Sequence, residues 1–160
     1  MICKNYFNQT VLTILFLSLS TLCSAEEIAV NIIQVHDGDT ITAIVDQKPI
    51  KIRLMHIDAP EKAQARGLDA TYALKKLCIN QIATANIDSQ DRYGRSLAVI
   101  TIAGKNINQE MVRQGWAWWY SKYSTDTTYK ALQAAAKKNK LGLWADTETI
   151  PPWEFRRDGK

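Results

Sequence analysis

Cysteine is scarce in this 160-residue chain, with three in all. Two of them, Cys3 and Cys23, sit in an N-terminal stretch that has the marks of an export signal. Cys78 then stands alone, which excludes an intrachain disulfide and a cysteine-based metal site. It follows Ala73, Leu74 and Leu77 on a helical stripe, the pattern of a small buried hydrophobe. Histidine is scarcer still. His36 and His56 fall in separate strand-like segments without the spacing of a metal pair, so we read both as surface or structural groups. No apolar run reaches the ~20 residues a membrane-spanning helix needs. There is no internal repeat, and the length suits one domain with one core.

The N-terminal stretch is apolar over residues 11–22 (VLTILFLSLSTL) apart from Ser and Thr. Lys4 precedes it, and Cys23-Ser24-Ala25 offers small residues for cleavage after Ala25. We expect a signal peptide over 1–25, a folded domain over 26–145, and a tail over 146–160 packing on that domain. An uncleaved anchor is the alternative; a lipoprotein cysteine suits Cys23 less, because bulky Leu22 precedes it. The exported chain would be periplasmic or extracellular, with no membrane contact after cleavage. Loss of Lys4 lowers the formal charge from +4 to +3. That mild basic balance permits a polyanionic partner without requiring one.

What the chain does have is β pattern followed by helical pattern. Segments 29–35 and 40–45 flank Asp37-Gly38, a strong hairpin signal. Asp46-Gln47-Lys48-Pro49 is a second turn, followed by a third strand over 50–57. Ala59-Pro60 ends it, since proline cannot donate to a ladder. Residues 68–78 carry a helical stripe. Segments 82–87 and 96–102 read as two more strands. Asn106 is placed to cap a second helix running to Gln114, with Gly115 at its end. A third helix starts at Ser124 or Thr125 and ends near Leu141-Gly142. The segment 150–155 (IPPWEF) reads as neither helix nor strand. Three strands, a helix and two strands form the order of an OB-fold barrel. The expected fold is therefore α+β: a five-stranded OB-fold β-barrel with three α-helices.

Carboxylates are crowded between Val35 and Glu61. Asp39, Asp58 and Glu61 offer the oxygen ligands a hard divalent cation wants, and two carboxylates plus a main-chain carbonyl leave positions open for water and substrate. Asp37 and Asp39 alone could merely flank a hairpin glycine; Asp58 and Glu61 at the end of an adjacent strand favour a site. Arg53 lies inside the apolar run Ile52-Arg53-Leu54 and needs an anionic partner, either phosphate or one of these acids. Arg95 follows Tyr93-Gly94, where a glycine turn can aim it. Guanidinium groups match phosphate in bidentate geometry. Arg53 and Asp58 differ in strand parity, so a shared site requires an irregularity between Met55 and Asp58.

Four pieces now stand in order: Val35-His36-Asp37-Gly38-Asp39-Thr40; Ile52-Arg53-Leu54 running to Asp58-Ala59-Pro60-Glu61; Asp91-Arg92-Tyr93-Gly94-Arg95; and Val112-Arg113-Gln114-Gly115-Trp116-Ala117. Together with the Leu141-Gly142-Leu143-Trp144 end of the last helix, they resemble the staphylococcal nuclease (thermonuclease-like) family over about residues 28–145. The resemblance implies a calcium-dependent phosphodiesterase that cleaves DNA and RNA with little sequence preference and leaves 3′-phosphate ends. By position it makes Asp39 and Asp58 calcium ligands together with the Ala59 main-chain carbonyl. Arg53 and Arg95 become phosphate-binding residues that stabilise the transition state. Glu61 becomes the general base, and Asp37 support beside the metal. Tyr93, Tyr120 and Tyr123 are candidate substrate contacts. A monomer with no stable protein partner is expected.

The chain departs from the family pattern in places. Ala59 stands where the founding member has a threonine, so a carbonyl contact survives and a side-chain role does not. The loop after Glu61 is shorter, which leaves Lys62 and Arg66 as replacements for its lysines. Aromatic residues at 116, 118, 119 and 120 read as packing between helices and barrel rather than as a base-stacking surface. Lys137-Lys138-Asn139-Lys140 reads as a solvated helix end. Two other functions fit the fold: a family member that binds nucleic acid without cleaving it, and an OB domain for another polyanion or an oligosaccharide. The first would lack some of the acids and arginines present here; the second has no use for Glu61 beside two metal-type aspartates.

Overall fold

A computed structural model describes residues 26–159; the expected signal peptide lies outside these residues. The chain opens with a meander of β1 (Glu26–Val35), β2 (Thr40–Val45) and β3 (Lys48–Leu54). β1 and β2 pair antiparallel with Val35 opposite Ile41. Asp46 and Gln47, both left-handed at φ 47° and 63°, make the two-residue turn into β3. Mirror-image turns of this kind match strand twist. β3 stops at Leu54, not at residue 57. Met55 and His56 turn the chain, with His56 at φ 69°, and β4 (Ile57–Asp58) resumes on a different course. This is the irregularity that the parity of Arg53 and Asp58 demanded.

α1 (Gly67–Cys78) follows, then β5 (Ile82–Gln90) and β6 (Ser96–Ile102). A short β7 (Lys105–Asn106) leads into α2 (Ile107–Arg113), capped by the Asn106 side chain, which accepts from the Gln109 amide. β8 (Trp118–Trp119) and α3 (Thr127–Lys138) come next; Asp126 caps α3, slightly later than expected. The sheet order is β3-β2-β1-β5-β6, and β3 pairs β6 in parallel to close the barrel. Closure removes the exposed strand edges. The fold is thus the expected α+β OB-fold barrel.

The barrel interior holds Val30, Ile32, Ile41, Ile52, Leu54 and Ile100, all essentially inaccessible. Leu74 and Cys78 of α1 plug one side; Met111 and Val112 of α2 cover another. Cys78 is buried, as its stripe implied, and burial pushes its thiol up to about 12. β8 pairs antiparallel with β4, Trp118 opposite Asp58. The aromatic run after α2 therefore forms part of the site's wall as well as packing. Trp118 contacts Trp144 edge-on, with ring centroids 4.3 Å apart.

Two expectations need correction. Among the described residues there are four α-helices, not three, and residues 150–155 are not irregular throughout: α4 spans Pro152–Asp158. The Pro151-Pro152 pair reads as a helix breaker, yet proline is well suited to the first helical position, where its missing N–H costs nothing. Glu154 lies in the first turn of α4 and Arg156 and Arg157 in the last, each favoured by the helix dipole. Trp153 then packs on Trp118 and on Tyr120. Among the described residues, no helix is long and apolar enough to cross a membrane.

Candidate active site

Gly38 explains how the acids meet. A methyl group there would come within 2.6 Å of the Ala59 Cβ and 3.0 Å of the Ala70 Cβ. Only glycine lets the β1–β2 turn press against the chain after β4 and the start of α1. Asp39 leaves that turn buried. Its Oδ2 accepts from the Ala59 amide at 2.7 Å, and its Oδ1 from the Thr40 hydroxyl at 3.1 Å. Asp37 supports the turn, its Oδ1 accepting from the Asp39 amide at 3.0 Å. The Ala59 contact with Asp39 is made through its N–H.

Arg53 joins the two buried aspartates. Its Nε lies 3.0 Å from Asp39 Oδ1 and its Nη2 2.8 Å from Asp58 Oδ1. Its Nη1 donates to the carbonyls of Leu54 and Ile57, at 2.7 and 2.9 Å. The break after β3 makes this fork geometry available. Three of the guanidinium hydrogens are committed to the carbonyls of Leu54 and Ile57 and to Asp58, while Asp39 is held as an ion pair at Nε. Arg53 is therefore first of all the clamp that sets the spacing of Asp39 and Asp58.

Glu61 stands at the rim, 41% exposed at its side chain. Arg95 sits on the β5–β6 loop and pairs with Asp91, whose Oδ2 accepts from Nε at 2.7 Å and lies 2.7 Å from Nη2. Asp91 Oδ1 also accepts from the Tyr93 and Arg95 amides, which shapes the loop around Gly94 at φ 78°. Arg95 shares no ion pair with the buried aspartates. The parallel register of Ile52 with Ser96 places it level with Lys51, two residues before Arg53. At about 3.3 Å per residue that gap is within reach of an arginine side chain.

Tyr93 is exposed, with the Arg92 and Arg95 guanidiniums 4.9 and 5.6 Å from its ring centre. Tyr120 lies one residue past β8, and its amide donates to the His56 carbonyl. It stacks on Trp153, with centroids 5.5 Å apart and planes 5° from parallel. Tyr123 is exposed beside it. The histidines are structural: His36 Nε2 meets the Thr42 hydroxyl at 2.7 Å and His56 Nδ1 the Ser124 hydroxyl at 3.0 Å. Burial depresses both imidazoles.

A residue that sequence reasoning missed completes the cluster. Arg156 of α4 reaches Asp58 with two contacts, Nη2 to Oδ2 at 2.7 Å and Nη1 to Oδ1 at 3.3 Å, and meets Glu61 Oε1 through Nη1 at 2.8 Å. Its only sequence signal is arithmetic: Asp39, Asp58 and Glu61 outnumber Arg53, so a further cation was owed. Nothing in a segment beginning Pro-Pro-Trp pointed to where it would come from.

Comparisons with known proteins bear on what this chain is. The family profile described as "Staphylococcal nuclease homologue" matches residues 51–146, more than half of the chain. A protein named "Uncharacterized endonuclease" from Escherichia coli is 41% identical over 146 residues, covering 91% of this chain and 94% of its own. The chain belongs to the staphylococcal nuclease family. A "Micrococcal nuclease" from Shigella flexneri is 37% identical over 140 residues, covering 81% of this chain and 80% of its own. Another "Uncharacterized endonuclease", from Haemophilus influenzae, is 41% identical over 152 residues, covering 94% and 85%.

Membership makes the chain a nuclease, a hydrolase whose substrates are nucleic acids, in a metal-dependent family. Among the described residues no three carboxylate, histidine or cysteine side chains close into a metal cage. What the nuclease site has is a partial shell of two buried carboxylates held side by side. Burial raises both Asp39, to about 7, and Asp58, against the pull of Arg53 on each and of Arg156 on Asp58. The charges of Asp37 and Asp58 add to the rise at Asp39, and that of Glu61 to the rise at Asp58. Negative charge here is under-compensated. A hard divalent cation on Asp39 and Asp58 would supply the missing positive charge, and the open side would keep water and substrate positions. The residues fit such an ion.

Proposed function

We propose that this protein is an exported, calcium-dependent, sugar-nonspecific nuclease that hydrolyses phosphodiester bonds in DNA and RNA and leaves 3′-phosphate ends. The observation that carries the reading is the pair of buried carboxylates, Asp39 and Asp58, bridged by Arg53 with Glu61 at the open rim. Residues 11–25 support export through their apolar run and small-residue cleavage site.

In this reading Asp39, Asp58 and the Ala59 carbonyl hold calcium. Bound there, the ion supplies Lewis-acid polarisation of a phosphate oxygen. Glu61 accepts the proton of the attacking water or orients it, and its half-exposed position lets a water reach it. Arg95 meets the phosphoryl oxygens as negative charge builds on them, with Asp91 as the group that orients it. Arg53 pairs with both Asp39 and Asp58 and keeps an Nη2 hydrogen for phosphate. Tyr120, near the acids, and exposed Tyr93 and Tyr123 are the aromatic surfaces available to bases. The chain acts as a monomer.

End-labelled DNA and RNA oligonucleotides, digested in calcium, test this reading. Both should be cut, with 3′-phosphate termini, and Glu61→Gln should slow turnover by orders of magnitude while sparing oligonucleotide binding. Full activity in Glu61→Gln, or 5′-phosphate products, would contradict it.

A further inference from the structure

α4 occupies both halves of the proposed site. Its Arg156 lies on both oxygens of Asp58 and on Glu61, and its Trp153 covers one face of Tyr120 in a parallel stack. The arm reaches there from the far end of the chain, and the carbonyl of Ile150 anchors its approach by accepting from the side-chain amide of Gln64, three residues beyond Glu61. Arg156 and the rest of α4 lie beyond the C-terminal end of the span that the family profile matches, 51–146, whereas its partners Asp58 and Glu61 lie within it. A guanidinium bonded to Asp58 and Glu61 uses the same oxygens that a metal ligand and a base must offer.

We infer that Arg156 is an internal cation that competes with the divalent ion for Asp58, so that α4 is an arm the protein must release to become active. This inference rests on the metal reading given above. Two positive charges sharing Asp58 repel one another at close range. Binding of the ion therefore selects chains in which Arg156 has left, and the apparent affinity falls by the fraction in which it is already gone. Release of Arg156 also frees Glu61 to meet water, and release of Trp153 bares the Tyr120 face. Arm departure thus couples ion binding to assembly of the site.

The experiment is hydrogen exchange of the exported chain with and without calcium, paired with calorimetric calcium titration of that chain and of Arg156→Gln. The expected result is faster exchange in residues 153–159 on adding calcium, while the Asp39 turn is protected. Arg156→Gln should bind calcium about tenfold more tightly, the factor expected if the docked arm outweighs the free arm by about ten to one. Trp153→Ala, which loosens the arm and leaves every charge in place, should shift affinity the same way. Equal affinities with unchanged or slower exchange in α4 would overturn the inference and leave the metal site standing. No calcium binding to any of the three chains would overturn the metal reading, and the inference with it.

Discussion

Arg53 shows how much residue type alone leaves open. An arginine inside an apolar strand needs an anionic partner, phosphate or carboxylate, and Arg53 bonds to Asp58 and two carbonyls and pairs with Asp39. Removing it leaves two buried carboxylates facing each other. Arg53→Ala should therefore lose ~3–5 kcal/mol of stability in urea unfolding near pH 8, the usual cost of breaking a buried pair. A loss under ~1 kcal/mol would place the pair in the class of surface ion pairs. Asp39 gives a pH signature. Its folded carboxyl is raised from 3.8 to about 7, mainly by burial. Between those values the folded chain holds a proton that the unfolded chain has released. The stability this group contributes is present at acid pH and is lost as pH rises through about 7. In chelator, wild type should lose more stability between pH 5 and pH 8 than Asp39→Asn, which cannot titrate there. The lowered histidines act equally in both chains and cancel from the comparison. Parallel pH profiles would contradict a raised Asp39.

At the scale of elements, the site depends on three places where regular structure stops: the Gly38 turn, the break after β3 and the Asp91 loop. Gly38→Ala should destabilise the fold by ~1–3 kcal/mol, as overpacking does, and weaken calcium binding measured by titration, because the turn must back away from Ala59. Unchanged binding would mean that the approach of turn and strand does not set the site. Much of this was legible in the chain. Asp37-Gly38 between β-branched runs marks a hairpin, and the opposite parity of Arg53 and Asp58 demanded a break that His56 supplies with its left-handed backbone. α4 was not legible. Its seven residues are too few for a helical stripe, its prolines mimic a breaker, and its stability comes from Trp118 and Tyr120, more than thirty residues away. Local pattern holds no record of such partners. Arg156 was hidden for the same reason.

The whole molecule is a closed barrel whose wall is left open in chemistry only on one side. β3 and β6 close the cylinder, β4 and β8 pair as a separate two-stranded sheet, and Asp39 lies on the β1–β2 turn, Asp58 at the end of β4 and Glu61 shortly after it. The modest formal charge of +4 over the full chain attracts a polyanion weakly. In the proposed function, substrate engagement rests on Arg95 and a cation at the aspartates rather than on a broad basic face. The most direct measurement of that claim is a time course of plasmid DNA and RNA cleavage by the exported chain, in calcium and in excess chelator, with Asp58→Asn alongside. Both polymers should be degraded in calcium, and both should survive in chelator or with Asp58→Asn at the same protein concentration. Degradation at an equal rate in chelator, or full activity without the Asp58 carboxylate, would contradict the account.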